Sequence, residues 1–287
     1  MSRGLDHIVH AVRDLDAAGA LYRSLGFTVG ARNQHPWGTH NMIVQLPGFF
    51  IELLTLAEPG KMGDDGFSKM FAAYNRDFIA RHEGLSLLIL QSKDARADEA
   101  AFRAAGIAAS QGLHFEREGK RPDGATVKVG FSLAFAQDPL TSDIHFATCQ
   151  QHFPENFWNP TFQKHANGVT GIAGVVAVAD APERHRDFLQ TFAGTQAKGG
   201  KDGFSLATPR GTIDLVTPAG FLHRFGVRAP DVARGARLAA IRFAAADAGL
   251  LQGSPELAGM AGLFAGNAAV IGPQDAMGAV LAFEPCR

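Results

Sequence analysis

Cysteine is scarce in this chain: 287 residues include two, Cys149 and Cys286. They form no CxxC pair, so neither a disulfide framework nor a thiolate zinc site is indicated. An excess of either charge is also missing. Lys and Arg total 27 against 28 Asp and Glu, which argues against a general binder of nucleic acid or anionic membrane, because phosphate contacts need a basic footprint. No uncharged apolar run reaches the ~18 residues of a membrane span. The opening MSRGLDHIV lacks the apolar stretch of a signal peptide. The GxSxG, HExxH and GxxxxGK[ST] patterns are absent as well. The expectation is a soluble, cytoplasmic protein. Tyr is rare, at 2, while Phe numbers 22. That abundance suits a Phe-rich core or an apolar pocket.

What is present is a repeat. In LDHIVHA, period 2 puts Leu5, His7, Val9 and Ala11 on one face and Ile8, His10 and Val12 on the other. Asp14 can cap a helix over Leu15 to Leu25, which Gly26 ends. Strands are expected at Phe27 to Val29, Asn41 to Gln45 and Phe49 to Leu54. This β-α-β-β-β order returns from Gly84, with Asp94 as cap and Gly106 as stop, and RPDG at 121–124 as a tight turn. A third copy starts near Gly168, where GTIDLVT at 211–217 parallels FFIELLT at 49–55. A fourth, weaker copy starts at Arg237. Units 4–57 and 84–151 make an N-terminal pair within 1–150. Units 168–220 and 236–287 make a C-terminal pair over 168–287. Residues 151–168, rich in aromatics, Pro and Asn, form an ordered connector between them. A short helix is expected around Phe67 to Tyr74.

The details LDH at 5–7, GTHN at 38–41, IEL at 51–53, GLSLLILQSKD at 84–94, RPDG and HANG at 165–168 resemble the glyoxalase-like branch of the vicinal oxygen chelate superfamily. That superfamily includes glyoxalase I, methylmalonyl-CoA epimerase, extradiol dioxygenases and bleomycin-resistance proteins. The resemblance implies an α+β fold: four βαβββ modules paired into two curled mixed β-sheets with flanking helices. It implies a small-molecule substrate as partner. It also implies a homodimer or, since four units supply two pairs in one chain, a monomer.

The resemblance further implies metal ligands on the first and fourth strands of a unit, which fall on His7 and Glu52. An imidazole and a carboxylate suit a divalent ion with open positions, such as Zn, Mn, Fe, Ni or Co. Glu52 stands among Phe50, Ile51, Leu53 and Leu54, and a buried carboxylate needs a partner. Unit two offers Leu87 and Ala147 at the matching positions, or Phe146 or Thr148 after a one-residue shift. Unit three offers Ala173 and Asp214, and unit four offers Ala240 and Ala282. Further donors must therefore come from elsewhere, with His145 the first candidate and His152 and His165 next. His10, on the opposite face from His7, is expected to pack against the helix or the second pair. His35, His40, Arg121, Phe153, Phe157, Trp158, Phe162 and His165 are candidate substrate-side or wall residues, and Asp214 is a candidate partner of Arg210. Cys149 lacks an adjacent base that would make it a nucleophile. Three functions compete. The first is a metal-dependent lyase or isomerase acting on a carbonyl- or hydroxyl-bearing substrate, with Glu52 also serving as base. The second is an extradiol-type dioxygenase. The third is a non-catalytic small-molecule binder.

Overall fold

The computed structural model describes residues 2–65, 67–120, 124–246, 263–265 and 268–286. Among these residues, sixteen strands lie in two eight-stranded sheets. The first contains β1 (Leu5–Ala11), β2 (Asn33–Gln34), β3 (Thr39–Leu46), β4 (Phe49–Leu56), β5 (Gly84–Gln91), β6 (Leu113–Lys120), β7 (Thr126–Ala136) and β8 (His145–Gln151). Its order is β2-β3-β4-β1-β5-β8-β7-β6. The second contains β9 (Val169–Val178), β10 (Ala197–Gly200), β11 (Gly203–Ala207), β12 (Thr212–Val216), β13 (Arg237–Ala245), β14 (Leu263–Ala265), β15 (Ala268–Ile271) and β16 (Val280–Pro285). Its order is β10-β11-β12-β9-β13-β16-β15-β14. The two orders match strand for strand. In each sheet, two units meet at an antiparallel seam, β1 with β5 and β9 with β13, and each unit's first and last strands run parallel.

The helices are α1 (Leu15–Ser24), α2 (Tyr74–Arg81), α3 (Ala95–Ala104), α4 (Pro154–Phe157), α5 (Arg186–Ala193) and α6 (Pro218–Phe225). Asp14 accepts from the amides of Asp16 and Ala17, and Asp94 accepts from those of Arg96 and Ala97. Each carboxylate thus satisfies orphan donors of a first helical turn. One π-helical turn, Ser68–Ala73, leads into α2. Among the described residues, no helix is long and apolar enough to cross a membrane. The helix expected in unit four falls outside the described residues.

Two local expectations are corrected. Residues 27–29 form no strand. Phe27 instead packs on Phe243 and Phe283 of the second sheet, and the Thr28 amide donates to His165. Strict alternation also fails in β1, where the register with β5 shifts between Leu5 and His7. Leu5 joins Ile8 and Val12 in the core between the sheets, while Val9 faces the concave side. Such an irregularity resets which residues share a face.

The helices and convex faces bury a continuous core, in which Phe146 meets Phe188 and Phe102 meets Phe192. Each fully buried phenylalanine contributes about 1.5–3 kcal/mol through the surface it removes from water. His10 lies here. Its Nδ1 meets the Tyr22 hydroxyl at 3.0 Å and its Nε2 donates to the Met277 carbonyl at 3.0 Å. Burial lowers its pKa and keeps it neutral.

The concave faces differ. In the second sheet, α6 lays Phe221 and Phe225 onto Val176, Ala240, Val280 and Ala282, and an open depression of about 710 Å³ remains beside it, lined by Ser205, Asp214 and Arg224. In the first sheet a cavity stays open.

Candidate active site

The cavity lies over the concave face of the first sheet. His7 comes from β1, Glu52 from β4, Asn41 and Ile43 from β3, and Arg117 from β6. The walls are aromatic: Phe50, Phe67, Phe71, Phe115, Phe131, Phe157 and Trp37. This inner chamber is small, about 80 Å³. Ile43, Arg117 and Phe157 also border an outer vestibule of about 610 Å³.

His7 is nearly buried and stacks on Phe50, with ring centroids 4.2 Å apart. Its Nδ1 donates to Asp6 Oδ1 at 2.6 Å, and Asp6 Oδ2 accepts from Gln151 at 3.2 Å. Glu52 is also buried. Its Oε1 accepts from Asn41 Nδ2 at 2.6 Å. The same amide lies 3.3 Å from His35 Nε2, and His35 Nδ1 meets the Thr39 hydroxyl at 2.8 Å. Burial lowers the His35 pKa against the opposing field of Glu52, so the ring is neutral and accepts at Nε2. The result is a chain of hydrogen bonds, Thr39–His35–Asn41–Glu52, that fixes the carboxylate. Cys149 completes a buried group of donors: one donor atom each from Asp6, His7 and Cys149 lie within 4.8 Å of one another. Burial, then the charges of Asp6 and Glu52, push the Cys149 thiol well above its usual pKa.

The strand registers locate the matching positions in the other units. Glu52 sits opposite Val9, two residues after His7. In unit two, Ile89 sits opposite Ala147, so the equivalents are Leu87 and Ala147. In unit four, Arg242 sits opposite Ala282, which gives Ala240 and Ala282. In unit three, Val176 sits opposite Asp214, so the first-strand equivalent is Gly174 and the expected Ala173 is off by one. A Cβ at Gly174 would lie 3.0 Å from Arg242 Nη1. That guanidinium occupies the space and holds Asp214 at 2.9 Å, with Arg224 at 2.8 Å. Arg210 is not the Asp214 partner; it donates to the Leu5 carbonyl. In the second pair a protein cation answers the carboxylate.

The remaining candidates fall in different places. His145 stacks on Tyr74, with centroids 3.4 Å apart, and lines neither chamber nor vestibule. His40 lies on the other face of β3 from Asn41, held between Arg32 at 3.2 Å and Glu58 at 2.9 Å. His165 uses both nitrogens, accepting from Thr28 and donating to the Gln45 carbonyl. His152 hydrogen-bonds the half-buried Ser132. Phe153 packs over Gly130 of β7 and under Lys128. Arg121 lies outside the described residues. Phe157 walls the chamber and Trp158 and Phe162 the vestibule. Gln45 clamps this segment, donating to the Phe157 carbonyl and accepting from the Asn159 amide.

Sequence reasoning passed over Arg117, Asp6 and Asn41. A signal for Arg117 exists in LHFERE, where Leu113, Phe115 and Arg117 share one face. An arginine on the apolar face of a strand calls for a counter-charge or a ligand there.

A search of curated proteins finds no significant match to this chain. Among solved structures, it is similar to a hypothetical protein from Staphylococcus aureus, with TM-score 0.69, 14% identity and 99% of each chain covered. It is similar to a mutant of 4-hydroxymandelate synthase from Streptomyces coelicolor, with TM-score 0.63, 11% identity, and 100% of this chain and 93% of that one covered. A xylose isomerase-like TIM barrel/4-hydroxyphenylpyruvate dioxygenase fusion protein matches with TM-score 0.58 and 15% identity, over 99% of this chain and 49% of that one. At such identities the likeness is one of fold. A family model for a glyoxalase-like domain matches residues 5–192, which span both strands that carry the site. Paired βαβββ units around an imidazole–carboxylate cleft, together with that match, establish that the chain belongs to the glyoxalase-like domain family of the vicinal oxygen chelate superfamily.

Proposed function

We propose that the chain is a metal-dependent enzyme that binds a small carbonyl- or hydroxyl-bearing substrate in the chamber and moves a proton on it, as a lyase or isomerase does. The observation that carries this reading is the meeting of His7 and Glu52 in one phenylalanine-walled chamber. The donor chemistry suits a divalent ion. Donation from His7 Nδ1 to a carboxylate is the arrangement that orients metal-binding imidazoles, and in the neutral ring it leaves the Nε2 lone pair for a ligand. Glu52 has one oxygen held by Asn41 and one without a protein partner among the described residues. His7 and Glu52 would hold the ion; Cys149, close to His7, would join them only on losing its proton. A bound divalent ion supplies Lewis acidity to a substrate oxygen.

The chain's own residues do the rest. Asn41 fixes Glu52, whose free oxygen takes the substrate proton and gives it back. Asp6 holds the His7 ring in one orientation, and Phe50 supports it from one face. The aromatic walls limit water around the carboxylate, which strengthens every charge interaction inside.

A second reading, a metal-free ligand binder, draws on Leu87 and Ala147, which replace donors at half of the equivalent positions in this pair. Metal analysis separates the two. Protein purified without chelator should carry close to one divalent ion per chain, and folded His7→Ala and Glu52→Ala variants should each lose most of it. Wild-type protein without metal rejects the enzyme reading in this form and leaves the binder.

A further inference from the structure

Arg117 stands out in the chamber. It belongs to β6, where His114, Glu116 and Glu118 lie on the other face; His114 bonds Ser132 and Glu116 pairs with Lys128. Its guanidinium borders both chamber and vestibule. Burial lowers its pKa, opposed only by the field of Glu52. Among the described residues, no carboxylate lies within ion-pair distance of it. Its one hydrogen bond among the described residues is a long one, 3.4 Å, to the Glu118 carbonyl. Most other half-buried or buried arginines are answered by a carboxylate: Arg242 by Glu284 and Asp214, Arg224 by Asp214, Arg186 by Glu183, Arg3 by Asp98 and Arg237 by Asp143; Arg210 instead donates to the Leu5 carbonyl at 2.7 Å. A cation taken largely out of water without a close partner is costly, and an anionic ligand removes that cost.

We propose that Arg117 is the anion-binding group of the site and that its ligand is a small organic carboxylate with an apolar body. The proposal rests on reading the chamber as the ligand site. The planar guanidinium fork matches a carboxylate in a bidentate pair. The walls beside it, Ile43, Phe157 and Trp158 with Val127 and Val129, are apolar and suit an alkyl or aryl body. Glu52 across the chamber disfavours a dianion such as phosphate, so a monoanion fits best.

The test uses matched acids and amides. Binding of phenylacetate, 3-phenylpropanoate and 4-phenylbutanoate is measured by calorimetry beside the corresponding amides, on full-length protein stripped of metal with chelator. At least one acid should bind about tenfold or more tighter than its amide, the scale of one charge-assisted pair. Arg117→Gln should abolish that preference while still binding the amide, and Arg117→Lys should keep part of it. Thermal melts confirm that both variants are folded. Equal affinity for acid and amide, a preference that survives Arg117→Gln, or failure of all three acids to bind each overturns the proposal. Because metal is removed, the outcome is independent of the metal analysis. An acid preference in a protein that never carries metal would keep Arg117 and discard the metal-dependent enzyme.

Discussion

Cys149 sits against the Asp6–His7 pair yet is held as a thiol, because burial and two neighbouring carboxylates oppose its ionisation. Iodoacetamide at neutral pH should therefore alkylate the exposed Cys286 and spare Cys149 in the native protein, while both react in denaturant. Mass spectrometry of the two peptides reads the result, and rapid native labelling of Cys149 would contradict the burial argument. Single residues also show how far sequence reasoning reaches. His7 and Glu52 were legible through the family resemblance, which an imidazole and a carboxylate interrupting apolar strands supported. Asp6 was not, since its place beside His7 depends on the irregular register between Leu5 and His7. His40 was expected on the substrate side, and His165 there or as a further donor. Each is instead engaged at both ring nitrogens by groups that only the folded chain brings near.

Among the elements, the turn before β3 does most to shape the chamber. It presents His35 and Trp37, which stack on each other 4.8 Å apart. Gly38 follows at φ +88°, and its carbonyl accepts from the amides of Ala57 and Glu58. A Cβ there would collide with the Glu58 carbonyl. Gly38→Ala should destabilise the protein by about 1–3 kcal/mol or more through left-handed strain and the clash, read as a lower denaturant midpoint. An unchanged midpoint would show that the turn relaxes freely. Caps and repeat order were legible here, because Asp14, Asp94, Gly26 and Gly106 act through their immediate neighbours. The expected strand at 27–29 failed because Phe27 serves a distant partner, Phe243.

Across the whole molecule, Asp143 links the two sheets. It is almost fully buried before β8 and receives Arg81 at 2.9 Å, Arg234 at 3.5 Å and Arg237 at 3.8 Å. Asp143→Ala leaves the buried Arg237 without its counter-charge, and a loss of about 3–5 kcal/mol follows from breaking one side of a buried pair. Urea unfolding checks it; a loss below ~1 kcal/mol would class the cluster with surface ion pairs. Four units were legible from their repeat, but nothing in the chain's periodicity foretold that α6 packs two phenylalanines onto one concave face while the other holds an aromatic-walled chamber. Duplication usually doubles capacity. Here the copies have diverged instead: with Phe221 and Phe225 seated over the centre of one sheet, the architecture is symmetric and its filling is not, so a titration of the proposed site saturates at a single equivalent per chain.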